Sequence, residues 1–405
     1  ENYQTRFSVV YPNEELPAAR PFRRTPMYDV FDTMGAVWGQ QYGLEVPNYF
    51  AAGDEPRYET PSFRRSNAFE ATAREVRAVR GGVGINEVQN FGKYAVTGPG
   101  ARDWLDRIMA GRIPKPGRIS LTPMLSGKGR IIGDFTISCL GEEHFQITGS
   151  YGAQDFHMRW FDAHAADGVR VENISDRRTG FQIAGPRARD LLQSVTRADV
   201  SAMRFMDVRQ MTIGLSTAIV QRVSYTGDLG YEIYVDAMEH RALWDMLWGG
   251  GQAYGLRPFG MRAMMSLRLD KFFGSWMAEF SPDYTPLETG LDRFMQLDKG
   301  DFIGRAAAKA EAERGATRKL CAFVVEATDT DVNAYEPIWL EGEVVGFCTS
   351  GGFSHHAGLS VALGFVPAEH AREGLAVEIE ILGERVPARL VTEPLFDADG
   401  ARMRG

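Results

Sequence analysis

The chain has 405 residues, is 44% hydrophobic and 24% charged, and carries a formal charge of −8. That length predicts two or three globular domains with ample core, and the mild acidity argues against a nucleic-acid surface. Three cysteines without CxxC spacing argue against a disulfide framework or a zinc site. A reducing compartment fits them: cytoplasm, or mitochondrial matrix in a eukaryote. No apolar run approaches the ~18 residues of a membrane span, and no signal peptide is visible. The first residue is Glu1 rather than Met, which reads as processing or as a piece of something longer.

Residues 1–55 are rich in Pro, Arg and aromatics and read as an arm draped on a neighbour or on the domain behind it. Within them, MYDVFDTMGAVWGQQYG reads as one helix.

An internal repeat follows. YAVTGPGARDWL (Tyr94–Leu105) and FQIAGPRARDLL (Phe181–Leu192) share an aromatic, an alternating strand, Gly-Pro, Ala-Arg-Asp and an apolar helix. Gly-Pro is expected to end each strand and open the helix, with Pro in the first helical turn. Two copies of a strand–turn–helix unit predict two related α+β halves. Between them lie two strands, RIIGDFTISCL with Asp134 and Thr136, and HFQITGS ending at Ser150. Asp134 is flanked by apolar residues, where an unpaired charge is costly.

After the second copy come MTIGLSTAIVQRVSY and then SYTGDLGYEIYV. GDLG reads as a turn, and YEIYV as a strand alternating about Glu232. That carboxylate either faces water or accepts hydrogen bonds in a pocket. HRALWDMLWGG and GMRAMMSLRLDKFF read as helices. From residue 305 the chain changes character: a charged helix, RAAAKAEAERGATRK, precedes short strands with Gly turns, the pattern of a small β-barrel or sandwich. The organisation expected is an arm over 1–55, a core over 56–304 and a β-barrel domain over 305–405.

RGGVGINEV and WGGGQAYG fail the GxGxxG pattern, and SGKGR is not a P-loop. No flavin or NAD site is expected in this chain, and no metal site. His355 and His356 sit in a Gly-rich turn and read as solvent-facing.

FGKYAVTGPGARDWLDRI, MLSGKGRIIGDFTI, FQIAGPRARDLL, SYTGDLGYEIYV, GMRAMMSLRLDKFFGSW, PLETGLDRFMQLDKGDFIGR and EGEVVGFCTSGGFSHHAGLSVALGFV together resemble the glycine-cleavage T-protein (aminomethyltransferase) family. They occur in that family's order across about residues 65–395. The opening segment PNEELPAARPFRRTPMYDVFDTMGAVWGQQYGLEVPNYFA resembles the join between a flavin dehydrogenase half and a folate half in dimethylglycine and sarcosine dehydrogenases and oxidases. The resemblance implies an α+β folate-binding core of two pseudo-repeated halves plus a C-terminal β-barrel. It also implies tetrahydrofolate as cofactor and a flavin dehydrogenase domain or subunit as partner. The activity implied is capture of a methyl-derived carbon from a methylated amine as 5,10-methylenetetrahydrofolate. A stand-alone demethylase giving 5-methyltetrahydrofolate from an S-, O- or N-methyl donor is the alternative.

The resemblance also assigns residues. Glu232 is implied as the pterin anchor, since a carboxylate can accept two hydrogen bonds from neighbouring N–H groups. Tyr225 is implied to pack on or bond the folate, and Asp134 to stabilise charge developing at N10. Ser150 and Thr136 are implied near the pterin. Arg262 is implied to bind the folate's anionic end, with Arg268 as competitor, and Arg177 and Arg178 read as a charged loop that could serve a polyglutamate tail. The sequence also departs from the family's pattern. Leu121 replaces a tyrosine, Glu87-Val-Gln89 replaces Asp-x-Ser at the substrate mouth, and GMRAMM replaces GARDTL. Asp301 in KGDFIGR stands where the iron–sulfur assembly relatives carry cysteine, which argues against an accessory role.

Overall fold

A computed structural model describes residues 2–405. Two mainly antiparallel sheets form the centre. The five-stranded sheet runs Ile119–Leu125, Ile131–Gly141, His144–Ser150, Phe91–Thr97, Arg170–Asn173. The six-stranded sheet runs Val208–Ile213, Ser216–Gln221, Gly230–Asp236, Arg178–Ala184, Gly84–Glu87, Arg257–Pro258. The third unit is a closed six-stranded barrel over residues 318–391, reached through the helix Arg305–Arg314.

The repeat is structural. In the first copy the strand Phe91–Thr97 leads to the helix Ala101–Ile108; in the second, Arg178–Ala184 leads to Ala188–Ser194. Tyr94, Val96, Ala101, Trp104 and Leu105 are buried in one helix-covered core. The same repeat positions, Phe181, Ile183, Ala188, Leu191 and Leu192, are buried in the other. One correction is local. Pro99 and Pro186 lie in β-turns closed by Ala101 N–H to Gly98 O and Ala188 N–H to Gly185 O, both 3.0 Å, ahead of the helix rather than in its first turn.

The expected helix over MYDVFDTMGAVWGQQYG is also corrected. Only Tyr28–Thr33 is helical, and a hairpin, Ala36–Gln41 with Leu44–Phe50, takes the rest. Gly35 at φ +90° stops the helix, and the Tyr42-Gly43 turn, both residues at positive φ, reverses the chain. Met27, Phe31 and Phe50 join the core of Phe181 and Trp244. His355 departs from its reading too: it is partly buried against Phe69 and Phe353, while His356 is exposed.

In each sheet the residues between those core positions point the other way, and these two faces meet. Ile119 and Leu140 of one sheet share a cluster with Val208, Ile219 and Tyr234 of the other. Ile119 N–H also bonds Met206 O at 2.9 Å, tying the sheets at one end. Among the described residues, no helix is long and apolar enough to cross a membrane.

Candidate active site

The seam between the sheets is polar. On the six-stranded sheet, register places Gln221, Glu232, Gln182 and Asn86 side by side across four strands. All four are buried. Gln182 Nε2 donates to Asn86 Oδ1 at 3.4 Å, and the Gln221 amide has no partner for either atom among the described residues. Glu232 accepts from the Tyr234 hydroxyl at 2.7 Å. Burial raises the Glu232 carboxyl above its ordinary range, partly offset by that hydrogen bond and by the Lys93 charge.

On the five-stranded sheet, a row of Leu121, Thr136, Thr148 and Lys93 faces it. Thr148 approaches the Tyr234 hydroxyl. Lys93 is fully buried, donates to Phe91 O at 2.9 Å and Gln89 O at 3.4 Å, and is pushed down to about 7 by burial. Glu232 is the first of the carboxylates opposing that shift. Sequence reasoning missed Lys93, Tyr234 and the three amides. Their signal was polar residues at alternate strand positions, a pattern that reads as a solvated sheet face until a second sheet covers it.

One step along the strand, Asp134 pairs in register with Pro123, and extending the Thr136–Thr148 register sets it opposite Ser150. Its carboxylate is partly buried and has no partner side chain among the described residues. Burial raises it to about 7, with its own backbone N–H opposing. Tyr225 stands near enough to feel its charge. The Tyr225 hydroxyl donates to Gly274 O at 2.8 Å, and its ring stacks on Phe273 with centroids 6.1 Å apart. The strand carrying Asp134 is held from below: Tyr94 and His157 meet at 3.1 Å, and His157 Nε2 lies 3.2 Å from Ile132 O.

The turn before Glu232 is fixed by charge. Gly227, at φ +75°, leaves no room for a Cβ, which would lie 2.3 Å from Lys271 Cγ. Buried Asp228 binds Arg402 at 2.9 Å and approaches Arg80 at 3.5 Å, and Arg80 also binds Asp270 at 2.7 Å.

The remaining sequence candidates have settings of their own, and Arg268 stands near enough to Tyr225 for its charge to act on the hydroxyl. Arg262 is paired with Glu59 at 2.8 Å and donates to Asn13 at 2.6 Å. Arg268 is buried and spent on Glu279, Ser350 and Phe273 O. Arg177 and Arg178 stand at the far end of the seam, around a pocket of about 200 Å³. Glu87, expected at a substrate mouth, is buried, accepts from Thr25 at 3.0 Å, and lies 3.5 Å from His240. Burial drives Glu87 up to about 8 and His240 down to about 3. Leu121 sits beside Thr136, 37% exposed, an apolar contact where the family's tyrosine would be.

Two family matches now decide the affiliation. The GCVT N-terminal domain matches residues 27–299, and the glycine cleavage T-protein C-terminal barrel domain matches 318–397. The chain belongs to the glycine cleavage T-protein family. It is thereby an aminomethyltransferase-type enzyme, in a family of folate-dependent one-carbon transferases. It is 34% identical to human mitochondrial dimethylglycine dehydrogenase over all of its length, covering 47% of that protein. It therefore spans about half the length of such relatives. The aminomethyltransferase of Bacillus subtilis is 29% identical, with 92% of this chain and 99% of that one aligned. In fold, it resembles the glycine cleavage system aminomethyltransferase T of Bartonella henselae, with TM-score 0.82, 21% identity, and 93% and 99% of the two chains covered. That likeness bears out the α+β core and C-terminal barrel.

Proposed function

We propose that the seam binds tetrahydrofolate and that the enzyme captures a methyl-derived carbon from a methylated amine of the dimethylglycine or sarcosine type, giving 5,10-methylenetetrahydrofolate. The observation that carries this reading is the Asp134 carboxylate, raised to about 7 by burial and lacking a partner side chain among the described residues, on the sheet that faces the buried row of hydrogen-bonding groups around Glu232. The residues fit the cofactor. Glu232, with the unpartnered Gln221 amide beside it, offers acceptors and donors for a pterin edge. The stacked Tyr225 and Phe273 rings offer an apolar wall. Bound tetrahydrofolate supplies the N5 and N10 nucleophiles that take up the carbon. Asp134 holds a proton or a charge at the reacting end, and an acid near 7 can do either at neutral pH. Thr136 and Ser150 line the strands beside it.

The methylated amine is favoured by the alignment of the whole chain with 47% of dimethylglycine dehydrogenase. On this reading a flavin dehydrogenase domain or subunit supplies the oxidised carbon. The match to an aminomethyltransferase along 92% of this chain and 99% of that one favours a second reading, a demethylase that works without a flavin partner. Anaerobic titration of tetrahydrofolate into the chain, beside Glu232→Ala and Asp134→Asn, tests the site. Binding lost in Glu232→Ala, with binding kept but transfer lost in Asp134→Asn, is the expected result. A wild-type chain that binds no tetrahydrofolate would sink the proposal. Turnover of a methyl donor by this chain alone would select the second reading.

A further inference from the structure

The far end of the seam holds a pocket that the folate reading does not use. Its lining lies two to four residues beyond the Glu232 row along the strands, roughly 7 to 14 Å away. Two cross-strand rows of the five-stranded sheet line it: His144, Thr97 and Arg170, then Gln146, Ala95 and Glu172. Arg178 reaches it from the six-stranded sheet, and Arg177 from the loop before. Leu140, Ile174 and Ile219 give it apolar walls. Tyr234 stands between this pocket and Glu232, since its cross-strand neighbours are Ile219 and Gly180.

The charge does not balance. Arg170 and Arg177 share Glu172 at 3.3 and 3.0 Å, and Arg178 binds Asp236 at 3.2 Å. Three guanidiniums thus face two carboxylates, which leaves one positive charge in excess. Gln146 is 2% exposed, and neither atom of its amide has a partner among the described residues. The Arg178 Nε is also buried without one. A buried amide left unpaired is costly, which favours a ligand or solvent that meets it.

We infer that this pocket binds a small monocarboxylate, with the guanidiniums of Arg177 and Arg178 on the carboxylate and the Gln146 amide at its floor. A planar carboxylate matches the guanidinium fork, one negative charge matches the excess, and about 200 Å³ suits a ligand of a few heavy atoms. The site stands apart from Asp134 and Glu232, so it holds whether or not the folate reading does.

His144 is the reporter. Burial and the Arg178 charge both lower its pKa, so an anion seated on Arg178 raises it. The experiment follows the His144 ring by NMR in the full chain, with His144→Gln for assignment. Acetate is the probe, added at constant ionic strength against chloride. Saturable binding with a rise in the His144 pKa is expected. Arg178→Gln should bind acetate about tenfold more weakly, the loss of one charge-assisted contact. Arg177→Gln, at an exposed residue, should weaken binding severalfold and serves if the first variant does not fold. Glu232→Ala should leave acetate binding unchanged. A non-saturating shift equal to that of chloride, or undiminished binding by both arginine variants, would overturn the site. Inorganic phosphate binding more tightly than acetate would overturn the carboxylate assignment.

Discussion

Tyr234 donates its hydroxyl to the Glu232 carboxylate at 2.7 Å, two residues along the same strand, inside a seam that water reaches poorly. The bond fixes one carboxylate oxygen and leaves the other for a ligand. Tyr234→Phe removes it while keeping the ring that fills the gap to Ile219. The expected cost is roughly 1–3 kcal/mol of stability, because a buried acceptor loses its donor. Tetrahydrofolate affinity should fall about tenfold, since Glu232 is then both less ordered and easier to protonate. Urea unfolding and anaerobic calorimetry measure the two effects. Unchanged affinity would mean that Glu232 is a structural strand acid.

Asp134 predicts a pH dependence. Burial raises its pKa to about 7, against an ordinary value of 3.8. Between those values the folded protein holds the proton more tightly than the unfolded chain does. Stability from this group is therefore full below about pH 4 and is lost as pH rises to about 7. Glu75 and Glu87, both raised to about 8, slope the same way, and Lys93, lowered to about 7, adds stability as pH rises above 7. The difference between Asp134→Asn and wild type isolates Asp134. The variant should melt higher than wild type at pH 8, and the gap should shrink towards pH 4. Thermal melts across that range measure it. A gap that does not depend on pH would show that Asp134 titrates normally.

The repeat, the barrel strands and the turn before Glu232 were legible because each is a local pattern: Gly-Pro after an alternating strand, or Gly between short β runs. What the sequence hid is what the two halves do to each other. Lys93, Gln146, Gln182 and Gln221 look like one wet face of a half-buried sheet, and become a seam only when the second sheet closes over them. The hairpin after Gly35 was hidden for a related reason. AVWGQQYG carries apolar residues at spacings that suit a helix or a strand, and the positive φ of Gly35 and Gly43 decides between them. Arg262 was placed by resemblance, and its pairing with Glu59 and Asn13 depends on contacts that no local pattern encodes.

That pairing gives a prediction of its own. If Arg262 binds the anionic end of folate, it must share or surrender Glu59, which it holds through Nε at 3.1 Å and Nη2 at 2.8 Å. Glu59→Gln removes the competing charge, so tetrahydrofolate affinity should rise severalfold, with a steeper salt dependence. Arg262→Ala should lower affinity and abolish the gain in the double variant. Calorimetry on the four proteins closes the cycle. Additive effects would leave Arg262 as an anchor for the N-terminal segment alone.

The repeat also predicts where the fold breaks. Gly98 and Gly185 occupy the same position in the two copies, at φ +105° and +127°. A Cβ at Gly98 would lie 2.1 Å from Gly168 O, and at Gly185 2.3 Å from Val79 O. Backbone cannot yield as a flexible side chain can, so alanine at either site should cost at least about 2–3 kcal/mol. Gly100 is the control. It is left-handed at φ +84°, but a Cβ there meets nothing nearer than Val169 Cγ2 at 3.9 Å. Its repeat counterpart, Arg187, takes φ −96°. Gly100→Ala should therefore cost only the conformational penalty, about 1–2 kcal/mol. Denaturant unfolding of the three variants separates strain from close approach. Equal losses at all three would show that positive φ, and not the backbone contact, keeps glycine at the head of each helix.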